Sequence, residues 1–363
     1  MLSMSLESKK SANQGGGAGG NGGAKGIFSI PGKVIGALAQ RMAPPKGKSE
    51  IAFILEEDTM RGKDVLGIED LSPSEIELIL EVALKLKASK FDETQTLFAK
   101  GQTLAMLFEK PSLRTRVTFE AGMTPLGGNG GYLGGKLGKR EPVSDVAKNL
   151  DRWLDGIMAR TFDHETLKEL AANAKIPVIN GLSDREHPCQ AMADYMTIVE
   201  HKGKDLSKAK VAYIGDGNNV AASLMLLCAK VGIDFYLSCP DGYEPMSDIK
   251  KSALEAAKES GSSIHIGISP VEAATDADVI YTDTWVSMGQ EEEYSRRVLI
   301  FKDYQVNEEL VSLAKEDVLI MHCLPAHRGE EVTAEVLDGP KSVIYDQAEN
   351  RLHAQKAILS LVL

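Results

Sequence analysis

The sequence predicts an α/β fold made of two doubly wound lobes, each with a parallel sheet, and a cleft between them. From Asp64 onward, short apolar runs alternate with helical patterns, which is typical of parallel sheets. A chain of 363 residues is long enough for two packed cores. A polar, lysine-rich stretch at residues 200–209 is the natural boundary between the two lobes.

Residues 1–50 differ in composition from the rest of the chain. Their glycine tract between Gly15 and Gly23 holds too few apolar groups to offset the entropy lost on ordering, so we expect a disordered, Gly-rich extension, above all in residues 1–26. Residues 27–42 have the apolar spacing of a short amphipathic helix, and seven Lys and Arg precede Glu50 against one acid. We favour a plain extension over an organellar import peptide.

The first helix is predicted from Pro73 to Leu86. Ser72 can cap it, Pro73 suits the first helical position and Glu75 can close a capping box. Eight apolar runs predict strands, with helical segments between most of them. These runs are residues 103–108, 156–159, 177–180, 210–214, 234–238, 278–282, 317–321 and 342–345.

Composition excludes several classes of function. The net charge of −11 argues against nucleic acid as a partner, and no apolar run reaches the 18 residues of a membrane span. The cysteines lack metal-type spacing, which favours a reducing compartment and argues against a structural metal. The four cysteines are Cys189, Cys228, Cys239 and Cys323.

The segment Ser112-Leu113-Arg114-Thr115-Arg116 suits an anion site. It follows a predicted strand and opens a helix, where free N–H groups, two hydroxyls and two guanidinium groups can surround a phosphate. A well-capped, basic helix start is the equally weighted alternative.

Arg160 and His187 also lie where ligands of α/β sheets bind. Arg160 ends a predicted strand, and His187-Pro188-Cys189-Gln190 opens a helix after the next one. Taken alone, Arg160 would be a surface charge and His187 a cap or loop residue.

A glycine-containing segment after a predicted strand is similar to the turn that binds dinucleotide cofactors. It reads Gly215-Asp216-Gly217-Asn218-Asn219-Val220. Val220 replaces the third glycine, however, and the next strand ends in Cys239 and Pro240 instead of a ribose-binding acid. We therefore do not expect a nicotinamide cofactor. The Asn219 amide can instead donate to a carboxylate.

Three further segments carry reactive side chains. Asp283 begins Asp283-Thr284-Trp285-Val286-Ser287-Met288-Gly289, and His322-Cys323-Leu324-Pro325 follows another strand. Arg351 lies in a C-terminal helix predicted to start near Glu349. Each has an ordinary structural interpretation: a helix cap, a packed cysteine and a surface charge.

The order and spacing of these segments resemble the ornithine carbamoyltransferases, over roughly residues 62–363. The resemblance implies transfer of a carbamoyl group from carbamoyl phosphate to the δ-amine of L-ornithine, giving L-citrulline and phosphate, within arginine biosynthesis or the urea cycle. It also implies a carbamoyl-phosphate-binding domain at 62–200, an ornithine-binding domain at 201–345 and a C-terminal helix, 346–363, that packs back on the first domain.

The resemblance assigns the site residues as well. Catalysis would depend on Arg160, His187, Asp283 and Cys323. Carbamoyl phosphate would be bound by Ser112, Leu113, Arg114, Thr115, Arg160, His187, Gln190, Cys323, Leu324 and Arg351. Ornithine would be bound by Asn219, Asp283, Ser287 and Met288. No metal and no organic cofactor are expected, and Cys323 is not expected to act as a nucleophile, because the amine itself attacks.

Two departures from the family pattern bear on activity and assembly. Leu113 stands where the family usually has threonine, so a hydroxyl contact is lost. After Leu126-Gly127-Gly128, the family's longer loop is replaced by a glycine-rich segment, residues 129–138. In the family this loop reaches a neighbouring subunit's site within a trimer, so the resemblance implies a homotrimer, or a multiple of trimers, with the site at a subunit interface.

Other functions remain open at this point. A sister carbamoyltransferase acting on putrescine or an N-acylated ornithine would share the phosphate segment, and a low-activity binding paralogue would bind carbamoyl phosphate without turnover. We expect a cytoplasmic protein, or a mitochondrial matrix protein if residues 1–50 are an import peptide.

Overall fold

Two parallel sheets form the framework of the chain in a computed structural model that describes residues 49–57, 60–89, 93–287 and 291–363. The predictions for residues 1–26 and 27–42, and those for Met288 and Gly289, lie outside these ranges. The strands are β1 (Thr103–Phe108), β2 (Asn129–Gly134), β3 (Gly156–Arg160), β4 (Val178–Leu182), β5 (Lys210–Ile214), β6 (Asp234–Ser238), β7 (Ile264–Ile266), β8 (Val279–Thr282) and β9 (Leu319–His322).

The α-helices of the described residues lie between these strands and at both ends of the described chain. They are α1 (Glu50–Glu57), α2 (Pro73–Ala88), α3 (Leu113–Met123), α4 (Val143–Trp153), α5 (His164–Asn173), α6 (Pro188–Lys202), α7 (Asn219–Val231), α8 (Ser247–Ser260), α9 (Pro270–Ala274), α10 (Tyr294–Phe301), α11 (Glu308–Val311), α12 (Ala334–Leu337) and α13 (Ile344–Val362). None of them is both long and apolar enough to cross a bilayer.

The predicted fold class is confirmed. The first sheet has the strand order β2-β1-β3-β4 and the second β7-β6-β5-β8-β9, and every neighbouring pair is parallel. In each sheet the first strand in sequence lies inside and later strands add on both sides, which is the doubly wound arrangement. The carboxyl ends of the strands therefore meet at one edge of each sheet.

Local sequence signals placed most elements correctly. Ser72 caps α2 and exchanges bonds with Glu75 in the predicted capping box. The strands predicted at 103–108, 210–214 and 234–238 have the observed bounds, and four others differ by one or two residues at their ends. Shifts of that size are the usual uncertainty of strand ends.

The strand predicted at 342–345 is wrong. Ile344 begins α13, and Ser342 makes only an isolated bridge to Ile320. The C-terminal helix thus starts five residues before the predicted Glu349. The β-branched run at 343–344 favoured a strand, but burial of α13 against α2, α3 and α6, almost complete from Arg351 onward, outweighed this propensity.

Two strands were missed. The glycine-rich segment after Gly128, expected to be a loop, contains β2, which pairs in register with β1 from Thr103 and Asn129 onward. Glycines carry no apolar pattern, so this edge strand gives almost no local signal. Strand β7 is only three residues long and also lies at an edge.

A continuous apolar core connects the two lobes. It contains buried residues of α2, α6, α7 and α13 together with one face of both sheets, including Met106 of β1 and Tyr213 of β5. Helix α13 contacts α6, α2 and α3, so the last helix of the chain packs on elements that precede the second sheet. This packing holds the strand ends of both sheets close to one cavity.

Candidate active site

A cavity of about 870 Å³ lies between the carboxyl ends of the two sheets. Segments that follow β1, β3 and β4 line one side, and segments that follow β5, β8 and β9 line the other. The described residues to which the resemblance assigns a role all line it, whereas Met288 lies outside the described residues. They are Ser112, Leu113, Arg114, Thr115, Arg160, His187, Gln190, Asn219, Asp283, Ser287, Cys323, Leu324 and Arg351. Arg116, the second guanidinium expected at the anion site, does not line the cavity and instead pairs with Glu120 at 3.0 Å.

The N-terminus of α3 opens toward this cavity. Ser112 caps the helix by accepting a hydrogen bond from the Thr115 N–H at 3.3 Å. The first N–H groups of a helix have no acceptor within the helix, and they carry its positive dipole end. The Leu113 side chain is exposed, so its contribution to the cavity is the main chain. This helix start suits an anion such as a phosphate.

Arg160 and Arg351 converge on Thr115. Arg351 Nη2 donates to the Thr115 hydroxyl at 3.0 Å, and Arg160 Nη1 lies 3.5 Å from the same oxygen. Both guanidinium groups are buried, and within the described chain the Nε atom of each has no hydrogen-bond partner. Burial first, and then repulsion from Arg351, lowers the pKa of Arg160 to about 10. Among the described residues neither guanidinium forms an ion pair with a carboxylate, so two buried cations side by side suit an anion.

His187 lies beside these arginines as a neutral imidazole. Its backbone N–H donates to Ser223 Oγ at 2.8 Å, which ties the start of α6 to α7 of the second lobe. Burial, followed by repulsion from Arg351 and Arg160, holds the pKa of His187 well below its usual value. Its Nδ1 is buried and has no partner among the described residues, so this ring can still bond to a ligand.

The opposite wall is formed by Asp283, Asn218 and Cys323. Asn218 caps α7 with its side-chain oxygen and donates from Nδ2 to Asp283 Oδ2 at 2.9 Å. Asp283 Oδ1 accepts from the Cys323 thiol at 3.0 Å and from the Thr284 N–H at 2.8 Å. Asn219 donates to the Ser183 carbonyl of the first lobe. Acceptor and amide groups thus face the two arginines across the cleft.

The turn after β9 is held by His322. Its Nδ1 accepts from the Leu324 N–H at 2.8 Å, while Nε2 bonds to Glu331 at 3.1 Å. This fixes the ring tautomer, because Nδ1 must be the unprotonated nitrogen. Leu324 has a φ of +60°, so its main chain turns sharply next to Cys323 at the cavity.

Burial and the neighbouring Asp283 raise the pKa of the Cys323 thiol well above its usual value. A thiol that stays protonated and donates a hydrogen bond is a poor nucleophile. The geometry therefore favours an orienting contact over covalent chemistry at Cys323.

Two groups of side chains among the described residues bring metal-type ligands close together. The first is Asp283, His322 and Cys323, and the second is His327, Glu330 and Glu331. In the first group both His322 nitrogens and the Cys323 proton already make hydrogen bonds, whereas a metal requires a thiolate and an available nitrogen. In the second group, Glu331 accepts a hydrogen bond from the His327 backbone N–H, and Glu330 accepts one from the Tyr294 hydroxyl, so both carboxylates already have protein partners.

Sequence reasoning missed several polar residues that support the site. Asn219 was assigned a role in the predicted site and Asn218 was not, although the position of Asn218 before a helix is that of an N-cap. Arg297 of α10 donates from Nη1 to Asp216 at 2.8 Å and to the Trp285 carbonyl at 3.0 Å. Asp194 was hidden in an apolar helix, four residues after Gln190; a lone acid among buried residues is the signal that could have found it.

Two family models match this chain. Residues 63–200 match the model described as the carbamoyl-P binding domain of aspartate/ornithine carbamoyltransferase, and residues 207–362 match its Asp/Orn binding domain. Together these ranges contain the described residues of the cavity wall named above.

Known proteins are similar over most of the chain. Ornithine carbamoyltransferase of Bacillus subtilis is 54% identical, over 84% of this chain and 95% of that protein. A protein of Pyrococcus furiosus named as the anabolic ornithine carbamoyltransferase is 52% identical, over 84% and 98%. A solved structure of ornithine carbamoyltransferase from Pyrococcus furiosus superposes with a TM-score of 0.80 at 51% identity, covering 84% of this chain and 98% of the other.

Proposed function

The chain belongs to the aspartate/ornithine carbamoyltransferase family, and from that premise we propose that it transfers the carbamoyl group of carbamoyl phosphate to the δ-amine of L-ornithine. The products are L-citrulline and phosphate, as in anabolic arginine biosynthesis or the urea cycle. The observation that carries the proposal is the buried pair Arg160 and Arg351 beside Thr115, facing Asp283 and Cys323 across one cavity.

The phosphate of carbamoyl phosphate binds at the start of α3. The main-chain N–H groups of Leu113 and Arg114 point to it, and the Ser112 hydroxyl and the Arg114 guanidinium complete the contacts. Arg351 neutralises the charge that this group brings into the cavity. The exposed Leu113 side chain costs the site one hydroxyl contact but leaves its N–H in place.

The carbonyl oxygen of carbamoyl phosphate faces Thr115, Arg160 and His187. Attack by an amine builds negative charge on that oxygen, and donors fixed before the reaction stabilise it. His187 acts here as a neutral donor, because burial first, and then the neighbouring arginines, lower its pKa and so oppose its protonation. The carbamoyl NH₂ group lies toward Gln190 and the main chain of Leu324.

Ornithine binds on the opposite wall, through Asn219, Asp283, Ser287 and Met288. Asn219 donates to the α-carboxylate. Asp283 receives the amino end and, with the Cys323 thiol, orients the δ-amine toward the carbamoyl carbon. An acidic second substrate would meet repulsion from Asp283, which favours ornithine over aspartate.

The reaction is a direct displacement that needs no cofactor and no covalent enzyme intermediate. The neutral δ-amine forms a C–N bond to the carbamoyl carbon, and the C–O bond to phosphate breaks with its electron pair leaving on phosphate. The proton that the amine loses is taken up by the departing phosphate, which is released as hydrogen phosphate. A free alkylamine has a pKa of about 10.4, so the site must favour its neutral form. Positioning and electrostatic stabilisation then supply most of the rate.

We infer a homotrimer, or a multiple of trimers, in the cytoplasm. Exposed apolar side chains of α3 and β2 support an interface beside the site: Leu113, Val117, Tyr132 and Leu133. Arg116 lies 4.2 Å over the Tyr132 ring and joins the two elements into one surface. The four free thiols agree with a reducing compartment.

The test is citrulline formation by purified full-length protein from carbamoyl phosphate and ornithine, run beside putrescine and N-acetylornithine. Arg114→Ala should abolish turnover, and the exposed Arg152→Ala on α4 is the matched control that should not. Turnover with putrescine or N-acetylornithine but not with ornithine would show that the protein is a sister carbamoyltransferase. Carbamoyl-phosphate binding without turnover would make it a binding paralogue, and retained activity in Arg114→Ala would overturn the phosphate assignment.

A further inference from the structure

Asp194 is a fully buried acid one helical turn after Gln190, and it has no part in the reaction proposed above. Three side chains from three elements donate to its carboxylate. Gln190 Nε2 of α6 lies 2.8 Å from Oδ1, Gln347 Nε2 of α13 lies 2.7 Å from the same oxygen, and the Tyr281 hydroxyl of β8 lies 3.1 Å from Oδ2. Burying an acid costs folding free energy, because it loses its hydration, and these three hydrogen bonds compensate for part of that loss.

The contacts of Gln190 leave its amide only one orientation. Arg351 can only donate, and its Nη1 lies 2.8 Å from one end of the amide, so that end must be Oε1. The other end faces a carboxylate oxygen and must be the NH₂ group. Asp194 and Arg351 therefore hold the two ends of the Gln190 amide. Asp194 accepts from the NH₂ group, and the Gln190 oxygen, an acceptor with two lone pairs, keeps one of them for a substrate group in the cavity that Gln190 lines.

This orientation decides what the adjacent substrate group can be. A carbamoyl group carries an NH₂ with two donors, whereas an acetyl group of the same shape carries a methyl group with none. The second lone pair of Gln190 Oε1 can accept from the NH₂ but gains nothing from a methyl. A flipped amide would point its own donors at the substrate NH₂ and would repel it.

We propose that Asp194 is a positioning residue that makes this site select carbamoyl phosphate over acyl phosphates, by fixing Gln190 with its oxygen toward the substrate NH₂. The inference rests on the proposed function. Gln347 is the second contact that positions Asp194. Its Nε2 donates to Asp194 and its Oε1 accepts from the His322 N–H at 2.9 Å, which ties Asp194 to the end of β9, next to Cys323.

The experiment compares Asp194→Leu with Asp194→Asn in the full-length enzyme. Leucine fills a similar volume without an acceptor, and asparagine keeps an acceptor oxygen for Gln190. The KM for carbamoyl phosphate is measured beside the inhibition constants of acetyl phosphate and inorganic phosphate. For Asp194→Leu we expect the KM to rise about 10- to 100-fold, the loss expected for one oriented hydrogen bond, with both inhibition constants within about threefold of wild type. Asp194→Asn should stay within about threefold for all three ligands.

Two further variants separate positioning from packing. Tyr281→Phe removes the third contact of Asp194 without touching Gln190, so the preference for carbamoyl over acetyl phosphate should be unchanged. Adding Gln190→Ala to Asp194→Leu should weaken carbamoyl-phosphate binding no further, because Asp194 acts through Gln190. If Asp194→Leu does not fold, Asp194→Ser, whose hydroxyl is too short to reach Gln190, takes its place with the same expectation.

Equal losses for carbamoyl phosphate, acetyl phosphate and inorganic phosphate would overturn the inference, since they would indicate a general packing role. An unchanged preference in both Asp194→Leu and Asp194→Ser would overturn it as well. A wild-type enzyme that does not itself prefer carbamoyl over acetyl phosphate would instead contradict the proposed function, so the two failures are distinguishable.

Discussion

Arg351 donates a hydrogen bond from Nη2 to Thr115 Oγ1 at 3.0 Å, although 236 residues of sequence separate them. The same guanidinium donates from Nη1 to Gln190. In Arg351→Lys the charge stays, but one ammonium cannot serve both partners in this geometry. We expect kcat/KM for carbamoyl phosphate to fall roughly 10- to 150-fold, corresponding to about 1.5–3 kcal/mol for a hydrogen bond to a charged group. Steady-state kinetics measure this, with Arg152→Lys on the surface as control; a loss below threefold would contradict the role.

Cys323→Ser distinguishes an orienting thiol from a nucleophile. Serine can still donate to Asp283, so we expect kcat to fall by no more than about tenfold, whereas loss of a true nucleophile costs about 10⁶-fold. The high pKa of Cys323 also predicts slow alkylation by iodoacetamide at pH 8. Rapid labelling, or loss of all turnover in the serine variant, would indicate covalent chemistry.

Arg297→Ala should weaken ornithine binding selectively. Arg297 connects the loop after Asp283 to Asp216, which precedes Asn218 and Asn219 on the ornithine wall. We expect the KM for ornithine to rise about tenfold or more while the KM for carbamoyl phosphate changes less than threefold. The Tm should also fall, because Asp216 is left buried without its partner. The adjacent Arg296→Ala, on the exposed face of α10, is the matched control, and equal effects of the two variants would refute the assignment.

Glu186→Gln should change how stability depends on pH. Burial raises the pKa of Glu186 to about 7, despite bonds from the Ile68 N–H and Ser223. Between about pH 4.5 and 7 the folded state therefore binds more protons than the unfolded state, so this group lowers the free energy of unfolding as pH rises. The Gln variant should gain stability relative to wild type across this window, by a few kcal/mol as an order of magnitude. Urea unfolding at several pH values checks this.

Exposed Glu165→Gln is the control for the Glu186 prediction and should leave the pH profile unchanged. A wild-type profile that runs parallel to that of Glu186→Gln from pH 4.5 to 7 would show that Glu186 does not titrate in that window.

Much of the fold is encoded in short stretches of sequence. The capping box at Ser72 and Glu75 and the strand Thr103–Phe108 can be identified within a few residues, because caps and apolar runs act locally. The edge strand Asn129–Gly134 cannot, since its glycines carry no pattern and pairing with β1 alone makes it a strand. Residues 342–345 have strand propensity, but burial of α13 decides their conformation.

The residue types of the site were also predictable, because polar groups that follow successive parallel strands must collect at one edge of a sheet. The sequence did not predict which atoms of these residues are in contact. Three features depend on how α13, α6 and the two sheets pack: the bond between Arg351 and Thr115, the neutral His187, and the orientation of the Gln190 amide between Arg351 and Asp194. Sequence by itself determined the order of elements and the chemistry available at the strand ends. Only the tertiary structure decided hydrogen-bond partners and protonation states, since both depend on burial and on distances between segments far apart in the chain.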